Sequence, residues 1–360
     1  MHWELSDEQH LYADSLRDWL GGNAGSEQVR SWFDAGDHRS FDDALIEEGW
    51  AAVGFDESRG GQGGGLLELV LTARELGRAA APSGRWLARA LADVALAAEP
   101  QLAQSALEDG ELTVAAVRCD RIPPTGSGVR WHDGTVSGEV PCVLAADDAV
   151  RFVVPVRDAD VHRLVIVDRE ATGVEVRRRP VLDRSRSAAD VVFDGAAARP
   201  LATEDAEDTW QGLADRAAVL VAADALGAAE RMLDMTVEYA KQRKQFGKPI
   251  AAFQAVKHAA AQMLVTVESS YSVTLLAGAS IQEGAPDARL HAAAAKAQVT
   301  QHCAELADSA LTVHGAIGYT WEYDLQLFYK RAKLDRILFG SPEAWNECIA
   351  ALLPLVPASA

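Results

Sequence analysis

The chain has 360 residues, 49% of them apolar and 24% charged, a balance that supports a sizeable folded core and excludes a disordered polyelectrolyte. Its formal charge of −19 at pH 7 opposes general binding to nucleic acid or anionic lipid, because like charges repel unless a local cluster reverses the field. No early apolar run has the form of a secretory signal, and no later stretch reads as long and uncharged enough to cross a bilayer. The expectation is therefore a cytoplasmic protein with neither nucleic acid nor membrane as partner. The four cysteines, at 119, 142, 303 and 348, have no CxxC spacing, so neither a metal site nor a disulfide framework is expected and the thiols read as buried and free.

In chain order, residues 1–112 read as helical. Leu5, Leu11, Leu16, Trp19 and Leu20 recur at three- to four-residue steps, and the stretch from Leu66 to Leu96 is rich in Ala, Leu, Glu and Arg. Gly60, Gly61, Gly63, Gly64 and Gly65 interrupt it; they lack the order of a dinucleotide fingerprint and predict a tight loop before the next helix. Over 113–200 the pattern changes to short β-branched runs such as Leu112-Thr113-Val114, Phe152-Val153-Val154 and Leu164-Val165-Ile166-Val167, with turn chemistry such as Asp133-Gly134 between runs. A small antiparallel barrel or sandwich fits. Over 201–360 the helical period returns, with Val219, Ala222, Leu226, Ala229, Leu233, Val237 and Ala240 on one face. Further long helices are predicted near 251–283, 286–311 and 322–350. The fold class is thus mainly α with a central β domain, and the last block reads as a four-helix bundle.

One local cluster runs against the acidic background. Lys241, Arg243, Lys244 and Lys248 fall within eight positions that hold no acid, where a pyrophosphate could dock or where a helix end is simply favoured by its macrodipole. This segment continues as Arg243-Lys244-Gln245-Phe246-Gly247-Lys248-Pro249-Ile250 and then Phe253-Gln254; a second motif reads His314-Gly315-Ala316-Ile317-Gly318-Tyr319-Thr320. Glu48-Gly49-Trp50, Gly60-Gly61 and Glu75-Leu76-Gly77-Arg78 form a fainter third. With the helix–sheet–helix order, these motifs resemble the acyl-CoA dehydrogenase family over nearly the whole chain.

The resemblance implies FAD as cofactor. An Arg fork gives charge-assisted bonds to a diphosphate and glycines let backbone N–H groups approach it. In the family the matching residues reach across a subunit interface to the partner's FAD, which makes Arg243, Gln245, Phe246, Gln254, Gly315, Ala316 and Gly318 the cofactor-binding candidates. Phe246 and Phe253 also read as core aromatics, and His258 and His314 as structural histidines.

The chain departs from the family where the acyl group is oxidised. That reaction needs a base for the α-proton while the β-hydride passes to the flavin. The family's glutamate aligns with Phe339 in Ile337-Leu338-Phe339-Gly340-Ser341, and the alternative position on the earlier helix with Ala217. The neighbouring family arginine aligns with Ala218, although Asp215 remains and Arg216 lies on a different azimuth. The flavin loop and flavin strand align with Ala115-Ala116-Val117-Arg118-Cys119-Asp120 and Pro141-Cys142-Val143-Leu144, and neither matches.

No catalytic residue is therefore expected in this chain. It resembles the shorter, glutamate-lacking subunit of heteromeric acyl-CoA dehydrogenases, notably actinobacterial ones acting on sterol side-chain thioesters. The implied partner is a catalytic subunit in an α2β2 heterotetramer that carries most of the acyl-CoA contact. Two other readings stay open: a self-sufficient dehydrogenase using Glu322, Asp335 or Glu343 as base, and a helical scaffold without flavin.

Overall fold

The computed structural model describes residues 4–123, 128–158, 161–203 and 205–353. Six helices come first: α1 (Asp7–Asn23), α2 (Ser26–Ala35), α3 (Arg39–Glu47), α4 (Leu66–Arg78), α5 (Gly84–Ala92) and α6 (Pro100–Glu108). Ser6 starts α1 with a capping box, its hydroxyl accepting from the Gln9 N–H while the Gln9 side chain accepts from the Ser6 N–H.

Eight strands follow: β1 (Thr113–Ala115), β2 (Arg130–His132), β3 (Thr135–Leu144), β4 (Arg151–Asp158), β5 (Val161–Asp168), β6 (Val174–Arg179), β7 (Ala188–Ala197) and β8 (Arg199–Pro200). They form a single sheet in the order β6-β7-β3-β2-β4-β5-β8, with β1 on β4. The antiparallel expectation holds for most of the sheet and is corrected at β1 and β2, which both run parallel to β4. Both reach β4 from its far side in sequence, so neither is joined to it by a tight turn and no hairpin imposes antiparallel pairing. Where a tight turn is present the sequence signal holds: Asp133 and Gly134, at φ +44° and +81°, close the β2–β3 hairpin.

The last block holds α7 (Ala206–Gln242), the two-stranded β9 (Lys244–Gln245) and β10 (Lys248–Pro249), then α8 (Gln254–Gln282), α9 (Ala288–Ala294), α10 (Thr300–His314), α11 (Leu325–Ile337) and α12 (Pro342–Leu352). Helix α7 is the axis of the molecule, and every residue from Ala217 to Glu230 is buried. It crosses α4 backbone to backbone: a Cβ on Gly227 would lie 1.8 Å from the Arg74 carbonyl oxygen and one on Gly77 2.1 Å from that of Asp224. Only glycine permits this crossing.

Two helical expectations change in detail. The helix near 286–311 is two helices joined by a π-helical stretch, Ala295–Val299. The helix predicted near 322–350 is broken between α11 and α12, where Phe339 and Gly340 take φ of +55° and +109°. Ser341 then caps α12 through the Ala344 N–H, with Pro342 in its first turn.

The expectation that no stretch is apolar enough to cross a bilayer is also corrected, because α8 meets that standard by length and composition. Its apolar character instead serves packing against α4, α7, α9 and α10, yet Leu264 and Val265 stay 49% and 60% exposed.

Three parts of the chain are tied at one buried cluster. Arg331 on α11 grips Asp224 on α7 with two bonds of 2.7 Å and donates to Ala81 O and Ser83 Oγ between α4 and α5. Arg186, ahead of β7, reaches Ser83 and Asp224 as well. Asp335 lies beside Asp224 with burial, first, and the Asp224 charge, second, driving its pKa well above the ordinary carboxylate range. Asp224 itself has its pKa held below the usual range by the Arg331 and Arg186 guanidiniums despite its burial.

Candidate cofactor edge and closed oxidation site

The first candidate edge begins where α7 ends. The Arg243 N–H closes the last turn on Tyr239 O and the Ile250 N–H returns to Arg243 O, each at 2.8 Å. Between them β9 and β10 pair Lys244 with Pro249 and Gln245 with Lys248. Phe246 and Gly247, at φ +51° and +78°, make the two-residue turn that matches the twist of a hairpin. Phe246 thereby projects into solvent, 91% exposed, which overturns its reading as a core aromatic. Only its edge is engaged, T-shaped to Phe253 at 6.1 Å, while Lys248 Nζ sits 4.6 Å over the Phe253 ring. Arg243, Lys244, Gln245, Lys248 and Gln254 are all exposed, so the hairpin presents basic and amide donors around a bare ring.

The second edge begins where α10 ends. Gly315 takes φ +64°, a backbone open to glycine and costly for other residues, and starts the 3-10 turn Gly315–Tyr319. Gly318 is buried beneath it, whereas Ala316, Ile317, Tyr319 and Trp321 face outward. His314 is held from all sides. Its Nδ1–H donates to Ala310 O at 2.7 Å, and its Nε2 accepts from the Tyr323 hydroxyl at 3.1 Å. Burial lowers its pKa, which fixes the neutral ring with a structural duty, as its residue type suggested. The ring of Tyr239, one helical turn before Arg243, stacks on it at 4.7 Å. That stack joins the bases of the two edges, so all seven candidates from Arg243 to Gly318 hang from two helix ends held together. His258, by contrast, is exposed on α8.

The residues aligned with the family's oxidation site form packed interior. Phe339 is 1% exposed; its N–H donates to Cys119 O at 2.7 Å and its carbonyl accepts from Trp345 Nε1 at 3.0 Å. Cys119 N–H in turn donates to Cys142 O at 2.8 Å. The three segments that fail to match the family pattern, at 119, 142 and 339, are thus bonded to one another backbone to backbone. Lys296, on the π-helical stretch, closes the loop from below: its Nζ donates to Asp335 O, Arg336 O and Gly340 O at 2.9, 3.3 and 2.8 Å. Burial pushes its pKa down to about 7.

Of the alternative bases, Asp335 and Glu343 are engaged by neighbours and Glu322 is exposed. Ala217 and Ala218 are fully buried. Asp335 keeps its proton in the Arg331 cluster, and Glu343 pairs with Arg336 at 2.6 Å in the first turn of α12, the ordinary use its position beside Pro342 suggested. Glu322 is exposed. Asp215 has its pKa raised by burial to about 6, with Gln211 donating to it at 2.9 Å. Arg216 is spent on Asp93 and Ala90 O. Sequence reading named the two motifs that the structure places at neighbouring helix ends and the altered positions that it places in the interior. It missed Tyr239, Tyr323, Lys296 and the Arg331 cluster; the lone lysine in an Ala-rich helix was the one signal that pointed to any of them.

The family profile "Acyl-CoA dehydrogenase, C-terminal domain" matches residues 210–353 and the corresponding N-terminal domain profile matches residues 6–103. Acyl-CoA dehydrogenase IpdE2 of Mycolicibacterium smegmatis is 32% identical over 341 residues, spanning 94% of this chain and 96% of that protein. The chain belongs to the acyl-CoA dehydrogenase family. Among solved structures it is similar to the Tcur3481-Tcur3483 steroid ACAD G363A variant, at 24% identity, TM-score 0.87 and coverage of 96% of this chain and 97% of that one. It is also similar to the ChsE4-ChsE5 complex from Mycobacterium tuberculosis, at 23% identity, TM-score 0.86 and coverage of 99% and 100%. These likenesses show the fold.

Proposed function

We propose that this chain is the non-oxidising subunit of a heteromeric, FAD-dependent acyl-CoA dehydrogenase and lends its two helix-end edges to the FAD of a catalytic partner subunit. The observation that carries this reading is the asymmetry within one molecule: the Arg243 and Gly315 edges are open, while the Phe339 position is sealed. FAD, when bound, supplies the hydride acceptor for 2,3-dehydrogenation of an acyl-CoA. This chain's part is to hold and shield it. Arg243 offers a guanidinium fork to a diphosphate, the exposed Phe246 ring covers apolar surface, and the Gly315 backbone lets a phosphate or ribose approach closely.

The residues fit FAD on that edge and do not fit a flavin at Phe339, where the matching loops bond to each other. Supporting a two-chain assembly, both similar solved structures carry paired component names, and one is called a complex. The printed name of the first, a steroid ACAD, supports a sterol side-chain thioester as substrate class. The bare Leu264 and Val265 on α8 fit a partner-covered surface. An α2β2 arrangement in the cytoplasm completes the proposal.

The test is flavin retention. Arg243→Ala, co-purified with the partner through gel filtration, is expected to lower flavin per complex several-fold with the melting temperature unchanged. Unchanged flavin content removes the diphosphate role.

A further inference from the structure

The thiols of Cys119 and Cys142 have no part in the reading above, which uses only their backbone. Cys142 lies on β3 and Cys119 in the segment after β1, and an antiparallel bridge between Arg118 and Val143 makes the two cysteines the next cross-strand pair. Their sulfurs are 3.4 Å apart, and the Cys119 N–H holds Cys142 O at 2.8 Å. Cys119 is buried and Cys142 half-exposed, so one thiol is reachable and the other waits behind it. We propose that Cys119 and Cys142 form a reversible dithiol–disulfide site, oxidised by hydroperoxides and reduced by small thiols.

Directly opposed strand residues have Cα atoms about 4.5–5.5 Å apart, within the span of a disulfide, and bond formation requires the sulfurs to close from 3.4 Å to about 2.05 Å. Side-chain rotation supplies most of that. Either thiol can donate in this contact, which lowers the pKa of Cys142 and, with burial, raises that of Cys119. The nucleophile is therefore the accessible sulfur. The Cys142 thiolate attacks the peroxide, takes one oxygen as sulfenic acid and releases an alcohol or water. Cys119 then loses its proton and displaces that oxygen as water. Two thiols are oxidised by two electrons to one disulfide while the peroxide is reduced to alcohol and water. Attack by a small thiol reverses the change.

The bond would fasten β3 to the segment whose Cys119 carbonyl holds Phe339, locking the sealed loop from the sheet side. This inference is independent of the subunit role proposed above, because it needs neither FAD nor a partner.

The full-length chain is treated with hydrogen peroxide, its remaining thiols are alkylated, and the digest is mapped by mass spectrometry. The expected product is a cross-linked 119–142 peptide pair, lighter than the two thiol peptides by about 2 Da, the two hydrogens lost, and abolished by dithiothreitol. Oxidised protein should melt several degrees higher, because the bond constrains the unfolded chain. Cys142→Ser should abolish the cross-link and Cys303→Ser should leave it. Cross-links to Cys303 or Cys348 in place of Cys119, oxidation that stops as sulfinic acid on Cys142, or no oxidation at all would each overturn the proposal.

Discussion

Tyr239 lies nearly flat against His314, ring centroids 4.7 Å apart and planes 24° from parallel. Tyr239 closes α7 just before Arg243 and His314 closes α10 just before Gly315, so one aromatic contact joins the bases of the two edges proposed to face the cofactor. Tyr323 completes it, T-shaped to Tyr239 at 6.3 Å and donating to His314. Stacked aromatic pairs contribute about 0.5–1.5 kcal/mol beyond the area they bury.

Loss of that stack should therefore reach the flavin without touching it. Tyr239→Ala is expected to reduce FAD retained per complex several-fold, whereas Tyr239→Phe, which keeps the ring, should retain it. Flavin absorbance after gel filtration reads both. Equal loss in the two variants would assign the effect to the hydroxyl and not to the stack.

Phe339 tests whether the aligned oxidation site is sealed. Phe339→Glu places a carboxylate in a fully buried position and should destabilise the chain by about 1–3 kcal/mol without creating dehydrogenase activity in the isolated chain. Phe339→Ala leaves a void and should also lower the melting temperature. Turnover per flavin in the assembled complex should stay within a few-fold of the parent if, as proposed, the chemistry runs on the partner's base. An assay with a ferrocenium-type acceptor gives the rates, and loss of most activity with flavin and assembly intact would place Phe339 at the reacting site.

Asp215 gives the molecule a pH signature. Burial raises its pKa from 3.8 to about 6, so the folded state binds this proton more tightly than the unfolded chain. Its contribution to stability is full below the unfolded value and is lost as pH rises through about 6. Asp215→Asn keeps a side-chain acceptor for Gln211 and no longer ionises. Relative to the parent, the variant should gain about 2–3 kcal/mol between pH 4 and pH 7. Urea unfolding at the two pH values measures this, and a constant difference between variant and parent would refute it.

Much of the architecture could be read in the sequence because its signals are local. The apolar period of α7, the Asp133-Gly134 turn and the order of helices and strands depend on neighbours a few residues apart. The Arg243 hairpin was legible as a motif, and of the two readings open for Phe246, core aromatic or outward contact, its φ of +51° and exposure leave the outward one. The break at Phe339 was legible in part, from Gly340 and the helix start at Pro342, but the left-handed conformation of the non-glycine Phe339 was not. The remaining misses are long-range. Arg331 meets Asp224 across 107 positions, and Cys119 meets Cys142 across 23, contacts set by packing that no local period encodes.

The central claim, that this chain serves a flavin it does not itself hold at the Phe339 position, is tested most directly by counting cofactor. The complex with its catalytic partner is purified, and its FAD is released and quantified against the amount of each chain. One FAD per catalytic subunit and none attributable to this chain is the predicted result. One FAD for every chain of both kinds would contradict it, because the segments at Cys119, Cys142 and Phe339 would then have to part to admit a flavin.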